Sequence, residues 1–232
     1  MPDRPGQTNP PNVVPTGIVQ IETGFLRQVD NADDITTTNF LYNSSLIRIG
    51  LRENCELRCT IEYAGIKTDS GNQSSNLNGF HPISIGTKLA VCPENGIIPQ
   101  TAFNVSVALP YFGKQEFKPQ YLAPSFFFLM QHTLSDRYVL GYNLGLQWDG
   151  NLPNATAIYS ICMTVNVLEG LSMYGECYGF SPEKSVSEYL GDIGCAYLLT
   201  NDLQLDFSAG FRFNAVAPES FIAFGLSWRT AR

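Results

Sequence analysis

Between Tyr138 and Trp148 the chain changes character at every residue. Leu140, Tyr142, Leu144, Leu146 and Trp148 share one parity, and Val139, Gly141, Asn143, Gly145 and Gln147 share the other. A period of two marks a β-strand, whose successive side chains point to opposite faces of the sheet. The split recurs with charges confined to one side: Leu57, Cys59, Ile61 and Tyr63 against Glu56, Arg58, Thr60 and Glu62. Val19/Ile21/Phe25 alternate with Gln20/Glu22/Gly24, Ile83/Ile85/Leu89/Val91 with Ser84/Gly86/Lys88, and Leu203/Leu205/Phe207/Phe211 with Gln204/Asp206/Ser208/Gly210. About a dozen such segments are present, many about ten residues long, the length that crosses a bilayer at a tilt.

The connections alternate as well. Short turns are expected at residues 52–54, 93–97, 133–137, 166–170 and 199–202, and longer polar loops at 28–38, 66–80, 111–120, 149–155, 181–188 and 213–220. A soluble sandwich shares the period of two but has no reason for one trim end and one looped end. Tyr63, Tyr111, Tyr121, Tyr138, Trp148, Tyr189 and Trp228 fall near segment ends, where interfacial aromatic girdles form. The pattern therefore predicts an all-β fold: a closed antiparallel transmembrane β-barrel of about 12 strands with short periplasmic turns and longer extracellular loops. A cysteine placed at Asn72, in the loop richest in Ser, Gly and Asn, is expected to be labelled from outside the cell.

Composition narrows the choices. Charged residues make up only 15% of the 232, and glycine occurs 20 times, as expected when one face meets hydrocarbon and the other packs into a lumen. No run of ~18 apolar residues offers a transmembrane helix. The net charge of −7 argues against a nucleic-acid partner. The partners expected are membrane lipid, a small-molecule solute and an outer-membrane protein.

Residues 1–16 carry Pro2, Pro5, Pro10, Pro11 and Pro15 and almost nothing apolar, so they are read as a Pro-rich N-terminal tail that plugs the periplasmic side. Residues 17–232 are read as the outer-membrane barrel. The opening Met1-Pro2-Asp3-Arg4-Pro5 lacks the features of a secretory signal, which suggests a mature sequence behind an added methionine.

Parity places Glu22, Arg48, Glu56, Arg58, Glu62, Lys88, Glu176, Asp192 and Asp206 on the inner face, lining a solute path. Buried charges without partners cost several kcal/mol each, so Arg48 is expected to pair with Glu56 or Glu62, and Arg58 with Glu22 or the acidic neighbours of Lys88. No catalytic, metal or cofactor site is expected. The two histidines, His81 and His132, fall at opposite ends of the barrel, and Glu56 and Glu62 share a strand at a spacing that lumen packing already explains. The six cysteines are scattered singly without a CxxC; Cys55, Cys59, Cys177 and Cys195 are assigned to the lipid side, Cys92 and Cys162 to the inside.

Several segments resemble a known family. Asp3-Arg4-Pro5-Gly6-Gln7-Thr8, Val14-Pro15-x-Gly17 with Gln20-Ile21-Glu22, and Leu46-Ile47-Arg48-Ile49-Gly50-Leu51 leading to Glu56-Leu57-Arg58 are similar to the start of outer-membrane proteins labelled "MetA-pathway of phenol degradation". Gly86-x-Lys88, Leu109-Pro110, Ala123-Pro124-Ser125, Leu134-Ser135-Asp136, Leu140-Gly141-Tyr142-Asn143 and Glu176-x-Tyr178-Gly179-Phe180 resemble its later landmarks. The resemblance implies an outer-membrane barrel that takes up small, hydrophobic or aromatic compounds. One departure is the ending Ser227-Trp228-Arg229-Thr230-Ala231-Arg232, where such barrels usually finish on an aromatic residue. The alternative reading is a closed structural barrel that binds a protein through its extracellular loops.

Overall fold

A computed structural model describes residues 2–32, 34–71 and 73–230. Asn72 and the final residues Ala231 and Arg232 thus lie outside the described residues, as does Met1. The strands are β1 (Val19–Ala32), β2 (Ile35–Arg52), β3 (Cys55–Ser70), β4 (Gln73–Phe80), β5 (Ser84–Cys92), β6 (Gln100–Ala108), β7 (Ala123–Thr133), β8 (Tyr138–Gln147), β9 (Thr156–Leu168), β10 (Leu171–Pro182), β11 (Glu188–Thr200), β12 (Leu203–Arg212) and β13 (Ser220–Arg229). Every pairing is antiparallel between successive staves, and β1 closes the ring by pairing with both β2 and β13.

The wall has 12 staves, because β4 and β5 are two lengths of one. β4 pairs with β3 from Tyr63 upward, and β5 pairs with β3 from Cys55 to Thr60. Between them stand His81, Pro82 and Ile83. Pro82 has no N–H to donate, so the ladder breaks there. The His81 amide still reaches Glu62 O at 2.9 Å, and the Lys114 amide of the following loop caps Phe80 O at 2.8 Å.

Alternation sorts the side chains. Leu57, Phe128, Leu144, Ile161, Ile193, Phe207 and Phe224 are exposed on the outer face. The inner face is polar toward its middle and carries Tyr178, Leu190, Phe221 and Ala223, packed with Leu26, Phe180 and Ala217, toward the looped end. Among the described residues no helix is long and apolar enough to cross a membrane; the strands supply the apolar surface.

Residues 28–38 and 66–80 are not open loops. β1 runs on to Ala32 and β2 starts at Ile35, while β3 runs to Ser70 and β4 starts at Gln73. Beside these strand ends Asp34 has φ 62 and Gly71 φ 56, the left-handed region that Asp tolerates and Gly favours. Thr36–Thr38 and Ser74–Asn76 are polar on both faces, which erases the period that marks a half-buried strand. The ladder simply continues into water, where neither face needs to be apolar. The loops at 109–122, 148–155, 183–187 and 213–219 are irregular apart from a short 3-10 turn, Gln115–Phe117.

Candidate functional site: the tail within the lumen

The tail makes its hydrogen bonds to the inner wall. At its root, Gly17 N donates to Gly50 O at 2.9 Å, which brings Pro15 so close to β2 that a Cβ on Gly50 would lie 2.0 Å from Pro15 O. The Val14 amide then donates to Glu56 Oε2 at 2.6 Å. The carbonyl of Asn12 accepts from Arg48 Nη2 at 2.9 Å, and that of Pro10 from Lys88 Nζ at 3.0 Å. Asn9 forms a reciprocal pair with Asn143, its amide donating at 2.7 Å and its carbonyl accepting at 3.0 Å. Thr8 Oγ1 meets Ser160 Oγ at 2.8 Å. The amides of Gln7 and Thr8 both donate to the Glu176 carboxylate, Thr8 at 2.8 Å.

The remaining residues complete the circuit. Arg4 donates twice to Asp206, at 3.0 and 3.3 Å, and the Asp3 amide reaches Glu22 at 2.8 Å. The Asp3 carboxylate ends among three cations: Arg48 at 3.0 Å, Arg58 at 2.7 Å and Lys88 at 2.8 Å. The contacts thus pass from β2 and β3 through β5, β8, β9, β10 and β12 to β1, and return to β2. Five prolines keep this segment from joining the sheet; wall carboxylates take up the amides of Asp3, Arg4, Gln7, Thr8 and Val14, and the Asn143 side chain that of Asn9.

Glycines make the room. Gly24 and Gly225 face each other across β1 and β13, and a Cβ at Gly225 would stand 2.1 Å from Arg4 Nε. Gly225→Val is expected to push Arg4 off Asp206 and weaken seating of the tail by about 1–3 kcal/mol. Hydrogen exchange of residues 2–9 measures this, and unchanged protection would refute it.

The predicted lumen residues separate into groups. Arg48, Glu56 and Lys88 are 0% exposed and Glu22 1%, and with Arg58 they enclose Asp3. Arg48 joins Glu22 at 2.8 Å and Glu56 at 2.8 Å, while of its two expected partners Arg58 joins not Glu22 but the acid next to Lys88, Glu56, at 2.8 Å. Glu62 stands apart toward the looped end; Ser44 donates to it at 2.7 Å and His81 Nδ1 lies 3.3 Å away. Asp206 is held by Arg4. Glu176 and Asp192 face one another across β10 and β11. The parity reading missed Asp3 and Arg4 as members of the site. The signal available was that they are the only charges in an otherwise neutral, proline-rich stretch.

His132 lies 3.7 Å from Glu94 in the turn region, and the Thr133 amide bonded to the Glu94 carboxylate holds that acid below its ordinary value. At the other end, the amides of Leu152 and Asn151 do the same for Asp149. Among the described residues no cluster of His, Cys, Asp and Glu is arranged to hold a metal ion. Cys162 is buried and Cys177 exposed; the other four cysteines are half-buried, and all six are free thiols.

The tail divides the interior. Toward the looped end is a cavity of about 480 Å³ whose lining mixes the apolar Leu26, Leu41, Leu46, Phe221 and Ala223 with the polar Ser44, Thr60, Glu62 and Gln147, with Asp3–Gln7 and Asn9 beside it. Toward the turn end lie a cavity of about 140 Å³ against Pro2–Gly6, Cys162 and Tyr174, and another of about 480 Å³ at the mouth beside Pro2, Leu171 and Trp228.

A closed twelve-stave antiparallel barrel with an apolar exterior and a charged interior is the architecture of an outer-membrane β-barrel. More particularly, a family model matches residues 2–230, and the chain belongs to that family, described as "Putative MetA-pathway of phenol degradation". Among solved structures, the COG4313 outer membrane channel from Pseudomonas putida F1 superposes with a TM-score of 0.73 at 9% identity, over 98% of this chain and 99% of that one. The KdgM porin in complex with oligogalacturonate gives a TM-score of 0.61 at 7% identity, over 92% and 99%. The translocator domain of autotransporter NalP from Neisseria meningitidis gives 0.59 at 10% identity, over 94% and 90%. Among curated proteins no sequence match is found. At these identities the structural likenesses establish the fold, which a channel, a porin and an autotransporter translocator share.

Proposed function

We propose that the protein is an outer-membrane channel that admits small solutes, and that hydrophobic or aromatic compounds are the class it takes. The observation that carries this reading is that cavities on both sides of the lumen are separated by one segment that lies outside the sheet. A barrel of about twelve strands is wider than wall side chains alone fill, so this interior needs the tail to close it. The tail acts as a plug, and the nine inner charges together with Asp3 and Arg4 line the path it occupies. The outer cavity has an apolar lining interspersed with a few polar groups, which suits solutes with a ring or short chain and few polar groups. The likeness along nearly the whole chain to an outer membrane channel of Pseudomonas putida F1 supports the same reading.

The looped end faces outward and the turns face the periplasm. A cysteine at Ser75, on the extended β3–β4 hairpin, is expected to be labelled in whole cells, and exclusive labelling at Asn201 instead would reverse the orientation. The alternative, a closed barrel that binds a protein through its loops, has one observation in its favour: among the described residues β4 pairs only with β3 and so leaves an edge. Planar-bilayer recording with flux of phenol-sized solutes into liposomes tests the channel reading. Absence of both conductance and flux, in the intact and the tail-deleted protein, would refute it.

Selectivity follows from the charges. The wall acids Glu22, Glu56, Glu62, Glu176, Asp192 and Asp206 outnumber Arg48, Arg58 and Lys88, so the path prefers cations and neutral solutes over anions. Arg58→Leu removes a partner of both Glu56 and Asp3 and is expected to increase cation selectivity. Reversal potentials under a salt gradient measure it, and an anion-selective wild type would overturn the assignment.

A further inference from the structure

Glu176 and Asp192 are directly opposed on adjacent strands with both side chains inward, and they are 4% and 2% exposed. The Glu176 carboxylate is occupied by the tail: it accepts the amides of Gln7 and Thr8, and Gly6 lies so near that a Cβ there would be 2.9 Å from Oε1. Among the described residues neither oxygen of Asp192 has a hydrogen-bond donor, and neither acid takes part in an ion pair. Beside them Ser208 Oγ, on a residue 1% exposed, is also without a partner.

The groups that face this pair offer no counter-charge. Cys162 lies opposite Glu176 on β9, Tyr174 and Tyr178 flank it on β10, and Asp206 on β12 is committed to Arg4, the nearest tail cation. Two adjoining carboxylates buried without a cation cannot both be ionised; the economical arrangement is one proton shared between them. Glu176, which accepts two amides, is the anionic partner, and Asp192 carries the proton as the donor its own oxygens otherwise lack.

We propose that Glu176 and Asp192 bind a single proton between them and that this proton latches the tail against the wall. When it is lost, two charges sit on directly paired residues that are only 4% and 2% exposed. Relief requires water around the carboxylates, and on the lumen side the segment Gly6–Thr8 lies against Glu176 and must lift away to admit it. The site would then be a proton-controlled fastening of the plug, open on the alkaline side and closed on the acid side. This inference rests on the tail being seated as a plug but not on conduction, and its test does not use conductance.

Infrared spectroscopy of the full protein in detergent should show the carbonyl stretch of a protonated carboxylic acid at neutral pH, in a band that Asp192→Asn removes. On raising the pH the band should vanish in the wild type. Over the same interval, hydrogen-exchange protection of residues 6–9, normalised to a free peptide of the same sequence at each pH, should fall at least several-fold. In Asp192→Asn, whose amide donates to Glu176 without titrating, the protection should persist across that interval. A wild type without the band at neutral pH overturns the shared proton. Protection that outlasts the band, or an Asp192→Asn protein that loses protection just as the wild type does, overturns the latch. The wild-type titration alone decides both points if the variant does not fold.

Discussion

Arg48→Leu is expected to cost about 3–5 kcal/mol of stability, more than any other single change in the wall, because removing one member of a buried charge cluster strands the others. Arg48 is 0% exposed and touches Asp3 at 3.0 Å, Glu22 at 2.8 Å and Glu56 at 2.8 Å, so its loss leaves three carboxylates with only Lys88 and Arg58 among them. Arg48 also donates to the Asn12 carbonyl, so the tail loses an anchor together with its counter-charge. Arg48→Lys restores the charge but not the fork that reaches several acceptors at once, and should recover part of the loss. Urea unfolding in detergent, followed by heat-modifiable migration on gels, measures the effect. Combining Arg48→Leu with deletion of residues 2–14 removes Asp3 as well, so the double change should cost less than the sum of the two. Strict additivity, or a single-variant loss below about 1 kcal/mol, would show that the cluster does not act as a unit.

How much of this is legible in the sequence depends on the range of the interaction. The barrel rests on a period of two between adjacent residues, and Leu140 to Trp148 show it without reference to anything distant. Inner charges such as Glu56 and Arg58 follow from the same parity. The proline content of the tail keeps it out of the sheet, and that too is a local property. Its partners are hidden, because Asp3 meets Lys88 and Arg4 meets Asp206 only after the ring closes, at separations no local pattern encodes. The opposition of Glu176 and Asp192 depends on the register of β10 on β11, which the turn at residues 183–187 and its neighbours fix together. The strand extensions beyond Phe40 and Gly65 look like loops for a different reason: where both faces meet water, a strand carries no hydrophobic signature. The break at Pro82 is legible as a strand-entry position, but its role in splitting one stave is not.

Deleting residues 2–14 is expected to raise single-channel conductance several-fold while leaving the barrel folded. The tail contributes no strand to the sheet, and β1 begins at Val19, after the root at Gly17, so closure of β1 on β2 and β13 does not require it. Removal joins the cavities that the tail separates. It also removes Asp3 and Arg4, one charge of each sign, so the net lumen charge is unchanged. What changes is neutralisation: Glu22, Glu56, Glu176 and Asp206 lose the tail amides or the Arg4 guanidinium that they accept from. Water takes up those acceptors, and the carboxylates become available to permeating ions, so cation selectivity should strengthen along with conductance. Arg48 and Arg58 lose Asp3 but keep Glu22 and Glu56 between them, and Lys88, whose Asp3, Pro10 and Asn12 partners all leave with the tail, is opened to water, which is why the wall should survive the deletion better than it survives Arg48→Leu. The measurement is paired recording of wild type and deletion in planar bilayers, with reversal potentials under a salt gradient. Unchanged conductance in a deletion variant that still shows heat-modifiable migration would mean that the wall side chains, not the tail, close the lumen.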